Sequence, residues 1–96
     1  MIDENSTVSA APDHVACNLL GETLLLQTTS GVYYGLDSVA TSVWNLIGNN
    51  PRVRDIRDSL LAEYEVDRQT CTRDLLALLE NMSMRKLIEV HPAPPA

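Results

Sequence analysis

The side chains able to do covalent or metal chemistry are few: Cys17, Cys71, His14 and His91. Two Cys and two His could in principle hold a zinc ion, but structural zinc sites draw their ligands from short-spaced pairs. Neither cysteine belongs to a C-x-x-C pair, so no metal site is expected. In a reducing compartment both thiols are expected to be free and to act as small apolar fillers. Acyl transfer or hydrolysis needs a nucleophile, a base and an orienting group at one place. No Ser/His/Asp or Cys/His cluster stands near a glycine-rich turn, and neither histidine falls in a helical pattern. The expectation is a protein without catalysis, metal or cofactor, whose chemistry is recognition by backbone edges, apolar faces and charge.

Composition narrows the partner. The chain has 96 residues, enough for one small domain, and a formal net charge of −6. That balance argues against binding phosphate backbones or anionic membranes, both of which rest on clustered cations. No apolar run is long enough for a bilayer span, and the N-terminus lacks the basic and apolar regions of a signal peptide, so the expected location is cytoplasmic. The charge is uneven: residues 1–51 hold no Lys or Arg, whereas all seven cations lie between Arg52 and Lys86.

The elements that must position the recognition surfaces follow from turn chemistry and periodicity. Residues 1–12 read as a flexible arm, 13–90 as the folded domain and 91–96 as a Pro-rich tail. His14–Leu20 and Thr23–Thr28 read as strands around a Gly21-Glu22 break, and Val32–Leu36 as a third after Thr29-Ser30-Gly31. Short connections make them an antiparallel meander in the order 1-2-3. A first helix starts at Asp37 or Ser38, with Val39, Ala40, Val43, Trp44, Leu46 and Ile47 on its apolar face, and stops at Gly48. A second begins at an Asn50-Pro51 cap and carries Val53, Ile56, Leu60 and Tyr64 inward, with Arg54 and Asp58 paired outside. A third runs from an Asp67 cap to about Lys86. Leu87–Val90 reads as a short terminal strand or an extended tail. The expected fold is α+β, winged helix-turn-helix-like, with a three-stranded antiparallel sheet followed by three helices.

Two features exceed what such a fold requires. The third helix spreads Cys71, Leu75, Leu76, Leu78, Leu79, Met82 and Leu87 over about 180°, against about 100° for an ordinary surface helix. Leu75, Leu78 and Met82 are expected on one side of that arc and Leu76 and Leu79 on the other, one side being core and the other partly exposed; the spare arc is either a binding wall or is covered by the sheet and the other two helices. The third strand should be a sheet edge, yet Val32–Leu36 carries no charge and no proline, the usual guards against pairing. Such an edge is covered by the N-terminal arm, used in self-association to a homodimer, or left to accept a strand from a partner.

The string Ser30-Gly31-Val32-Tyr33-Tyr34-Gly35-Leu36-Asp37-Ser38-Val39-Ala40-Thr41-Ser42-Val43-Trp44-Asn45-Leu46-Ile47 resembles the glycine, paired-aromatic and tryptophan segment of the PqqD-like family. Leu60-Leu61-Ala62-Glu63-Tyr64-Glu65-Val66-Asp67 is similar to its linker and Asp74–Glu80 to its third helix, so the likeness covers about residues 14–90. One departure is Ala40-Thr41, where many relatives carry glycine. The resemblance implies a non-catalytic recognition element for ribosomally made, modified peptides, either of the PqqD type or the leader-binding half of a split lasso-peptide leader peptidase, with the Val32–Leu36 strand closer to the lasso type. It would hold the precursor's leader as a strand added to Val32, Tyr33, Tyr34, Gly35 and Leu36. Leu75, Leu78, Leu79 and Met82 would line the groove, Arg73 and Asp74 would meet leader polar groups, and a separate leader peptidase or modifying enzyme would receive the precursor. Only one of Tyr33 and Tyr34 can face the groove. The alternative is a winged-helix transcription factor, which would need a cationic recognition helix. Residues 67–86 hold Arg68, Arg73, Arg85 and Lys86 against Asp67, Asp74 and Glu80, so nucleic acid is not the expected partner.

Overall fold

The computed structural model describes residues 2–20, 22–49 and 51–92. Strands β1 (Thr7–Ala10), β2 (His14–Leu19), β3 (Glu22–Gln27) and β4 (Val32–Leu36) precede helices α1 (Ser38–Ile47), α2 (Val53–Glu63) and α3 (Arg68–Met84), and β5 (Ile88–His91) closes the chain. The three expected strands form one antiparallel sheet, β2-β3-β4. Leu19 faces Glu22, which places the hairpin turn one position earlier than the expected Gly21-Glu22, and Gly21 itself lies outside the described residues. Gly31 takes the left-handed φ of +73° that closes the β3–β4 turn, where its N–H donates to the Gln27 carbonyl at 2.8 Å.

The core lies between this sheet and the helices. Leu25 and Leu36 from the sheet pack with Val43 and Ile47 of α1, Ile56 and Leu60 of α2, and Leu75, Leu79 and Met82 of α3. Thr41 occupies the departure from the family pattern and has a structural task. Its buried hydroxyl accepts from the Thr23 N–H at 3.0 Å and donates to the Leu36 carbonyl at 3.3 Å, tying α1 to β3 and β4. Asp37 caps α1 by accepting from the Ala40 N–H at 2.8 Å, as its side-chain type requires.

The arm expected to be loose is folded. β1 pairs antiparallel with β5, with Val8 opposite Val90, and Ile2, Ser6 and Val8 are buried. β5 takes the strand alternative for the terminal segment and draws in His91, a residue expected in the tail; Ala93–Ala96 lie outside the described residues. This tertiary arrangement also corrects the start of α2. The helix begins at Val53, with Arg52 at the cap position and no side-chain capping bond. Its first free N–H groups, on Val53 and Arg54, donate instead to the carbonyls of Ser6 (2.9 Å) and Glu4 (3.0 Å). A backbone segment remote in sequence does the work expected of Asn50, which lies outside the described residues. Arg57 is buried and pairs with Glu4 and with Asp58, so Asp58 engages Arg57 rather than the expected Arg54.

Helix α3 starts at the expected cap: Asp67 accepts from the Thr70 N–H at 3.1 Å. It ends at Met84, two residues before the expected Lys86, which sits at a left-handed φ of +61° just past the helix. Hydrogen bonds from the side chain and backbone of Thr70 hold the Asp67 carboxyl below its ordinary value of 3.8. Its cap therefore stabilises the fold fully above the unfolded-state value and loses that effect as pH falls through the lowered folded-state value. Asp67→Ala should lower the melting temperature at neutral pH, and the gap to wild type should close as pH falls through the lowered folded-state value, read by thermal melts across pH.

Candidate functional site

β4 pairs with β3 through the register Thr23–Leu36 to Gln27–Val32, and no described strand pairs with its other side. The N-terminal segment goes to β5 and leaves that edge open. Strand alternation decides between the two tyrosines. Tyr34 lies opposite buried Leu25 and is half-buried against the core, whereas Tyr33 points to the outer face and is 61% exposed.

Beneath the β4 edge runs a groove of about 230 Å³. Its sheet side is formed by Tyr34, Gly35 and Leu36, continuing through Asp37 to Ala40 at the start of α1. Its helix side is formed by Leu78, Asn81 and Met82 of α3 and by Arg85 at the C-cap of that helix, together with Leu87. The Arg85 guanidinium lies 5.6 Å from the centre of the Tyr34 ring, a cation–π distance that links the two walls. A second hollow of about 240 Å³ adjoins through Leu78 and is almost wholly apolar, lined by Val39, Val43, Leu60, Tyr64 and Val66, with Asp74 as its one charged residue.

The arc of α3 divides differently from the expected split. Cys71, Leu75, Leu79 and Met82 are buried along its centre, and Leu76 and Leu78 are half-buried on opposite flanks. An i, i+4, i+8, i+11 line runs down the middle of a broad arc, so the core takes the centre and leaves both margins. Of the sequence-selected site residues, Tyr34, Gly35, Leu36, Leu78 and Met82 line the groove together. Val32 and Tyr33 share the strand but their side chains are exposed. Leu75 lines the adjoining hollow beside Asp74, and Leu79 is core. Arg73 is not brought to the groove: it is exposed, pairs with Asp74 at 3.3 Å, and borders a shallow surface with Glu4, Arg68 and Leu76. Asn81 and Arg85 were missed, although with Leu78 and Met82 they form an i, i+3, i+4, i+7 face that helical periodicity could have supplied.

The thiols differ in kind. Cys71 is buried, and burial pushes its thiol up against an opposing influence from Arg57, which leaves it a poor nucleophile at neutral pH. Cys17 is free and exposed on the outer sheet face, not the buried filler expected of it.

These features define a winged helix-turn-helix-type α+β domain with an open strand edge above a groove of mixed polarity and an adjoining apolar hollow. The chain belongs to the PqqD family: the family model described as coenzyme PQQ synthesis protein D matches residues 22–88. The solved structure of TbiB1 in complex with the TbiA(beta) leader peptide is 34% identical, with coverage of 84% of this chain and 94% of that one, and superposes with a TM-score of 0.80. A lasso peptide synthetase B1 complexed with the leader peptide is 23% identical over 85% of this chain and 96% of that one, with a TM-score of 0.78, a likeness in fold. No curated protein sequence matches the chain significantly. No helix among the described residues is long and apolar enough to cross a membrane.

Proposed function

We propose that this protein is a non-catalytic, cytoplasmic leader-binding element of lasso-peptide biosynthesis, which holds a precursor's leader as a strand on β4 and presents it to a separate leader peptidase or modifying enzyme. One observation carries the reading: the unguarded β4 edge lies along a groove of mixed polarity walled by α3, which adjoins an apolar hollow through Leu78. The edge offers backbone N–H and C=O groups irrespective of leader sequence, and the groove and its adjoining hollow take alternate leader side chains, which supplies specificity. The leader complexes of the two similar proteins support it. The DNA-binding alternative is not favoured, since Arg73 is paired with Asp74 and Arg85 lies over Tyr34 instead of forming a free cationic helix face.

Hydrogen exchange tests the strand addition. Saturating leader peptide should slow exchange of the amides of Val32–Leu36 that face away from β3. Confirmed binding with unchanged exchange across β4 would exclude augmentation at this edge. Salt separates the forces involved. Recognition by backbone and apolar contacts should weaken less than about tenfold, or about 1.4 kcal/mol, between low and physiological salt. A steep slope in a fluorescence titration would mean that Arg85 and the acids near the groove dominate.

A further inference from the structure

We infer that Arg85, assisted by Asn81, is a receptor for a carboxylate side chain of the bound leader, and that this contact fixes the register of the added strand. The leader is then expected to carry an Asp or Glu four residues from the apolar side chain that enters the hollow. The inference rests on the leader-binding reading and names the side-chain chemistry which that site selects.

A strand edge reads backbone and not side chains, so it accepts a peptide equally well after a slip of two residues. Register must therefore come from the groove, whose charged groups differ in what already occupies them. Asp37 uses its carboxylate to cap α1, accepting from the Ala40 N–H at 2.8 Å. Asp74, lining the hollow, is paired with Arg73 at 3.3 Å. Arg85 is the one Lys or Arg that lines either the groove or the hollow, and the ion pairs among the described residues do not include it. It is exposed, and its guanidinium is set 5.6 Å from the centre of the Tyr34 ring on the facing wall. The face of an aromatic ring positions a cation without using up its N–H donors in the guanidinium plane. Asn81 lies one helical turn before Arg85 on the same wall and adds an amide donor. A carboxylate seated there meets the fork of guanidinium N–H groups, a charge-assisted contact with defined geometry.

The spacing follows from the rise of helix and strand. Leu78, where groove and hollow meet, and Asp74, in the hollow, stand seven and eleven residues before Arg85. These separations are about 10 and 16 Å along the helix. A strand turns a side chain to the same side every second residue, about 6.7 Å apart. Two positions from the acid fall short of the hollow, six overshoot it, and four, at about 13 Å, reach it. Arg85 is also the C-cap residue of α3, where the helix dipole favours a cation. That role alone changes stability and not the choice of peptide, so the two roles separate by experiment.

The test displays random peptides of about twelve residues, long enough to span β4 and the hollow, and selects those that bind the full chain. Wild type should enrich Asp or Glu four residues from a Leu, Ile, Met or Phe. Arg85→Gln should keep the apolar preference and lose the acidic one, Arg85→Glu should select Lys or Arg in its place, and Arg85→Lys should retain the acid. Asn81→Asp, which sets a carboxylate beside the guanidinium, should act like Arg85→Gln. Changing the acid of a selected peptide to Gln should weaken wild-type binding about three- to tenfold and Arg85→Gln binding less than about twofold. Moving the acid by one residue turns it to the other side of the strand and should cost as much as removing it. Should Arg85→Glu fail to fold, the Gln and Lys variants decide. Binders with an apolar anchor and no acidic preference, or an acidic preference that survives Arg85→Gln, would overturn the inference and leave the leader reading intact. No binder at all would remove the leader reading, and this inference with it.

Discussion

Leu78→Ala should weaken leader binding about 5–30-fold, equivalent to about 1–2 kcal/mol, while costing little stability. Leu78 is half-buried and lines both the groove and the adjoining apolar hollow, so its side chain is placed to meet leader residues on either side. Its neighbour Leu79 has no exposed surface and faces the core. Leu79→Ala should cost about 2–5 kcal/mol of stability. For a domain of this size that lowers the melting temperature by about 10–30 °C. Molecules that remain folded should bind leader with nearly wild-type affinity. A thermal scan and a titration at low temperature on both variants separate the two roles. Equal destabilisation by both changes would make the Leu78 flank part of the core and move the specificity pocket elsewhere.

Removing residues 1–10 should unfold much of the population at 25 °C. The segment buries Val8 completely and Ile2 nearly so, worth about 1.5–3 kcal/mol each. It also supplies the carbonyls that receive the first N–H groups of α2 and the Glu4 carboxylate that pairs with buried Arg57. The apolar part alone, about 3–6 kcal/mol, is comparable with the whole stability of a domain this small, about 5–14 kcal/mol. Circular dichroism and a denaturant titration check the outcome, and a melting temperature unchanged from the full chain would mean that β1 is dispensable. The result also bears on function. Because β1 lies on β5 rather than on β4, any loss of leader binding should track loss of fold and not exposure of a new edge.

Where local chemistry and local periodicity specify an element, the sequence determined it. Asp37 and Asp67 are capping side chains and cap the helices they precede. Val32–Leu36 is a strand because β-branched and aromatic residues follow a glycine turn, and the meander order placed it at a sheet edge. The ordered motifs along residues 30–80 were enough to point to the family. Tertiary structure decided what depends on residues distant in sequence. Val8, the one large apolar residue of Thr7–Ala10, shows no pattern until Val90 lies opposite it. The cap of α2 could not be read locally, because carbonyls of Glu4 and Ser6 perform it from about fifty residues away in sequence. The 180° arc on α3 was legible, but its division was not: burial depends on where β4, α1 and α2 press against the helix, and they cover the centre and leave Leu76 and Leu78 at the margins. Arg57 is buried and pairs with Glu4, a partner far off in sequence that no local pattern supplies. Tyr34 and Arg85 meet for the same reason: about fifty residues separate them, and only the packing of α3 beside β4 brings a guanidinium over that ring.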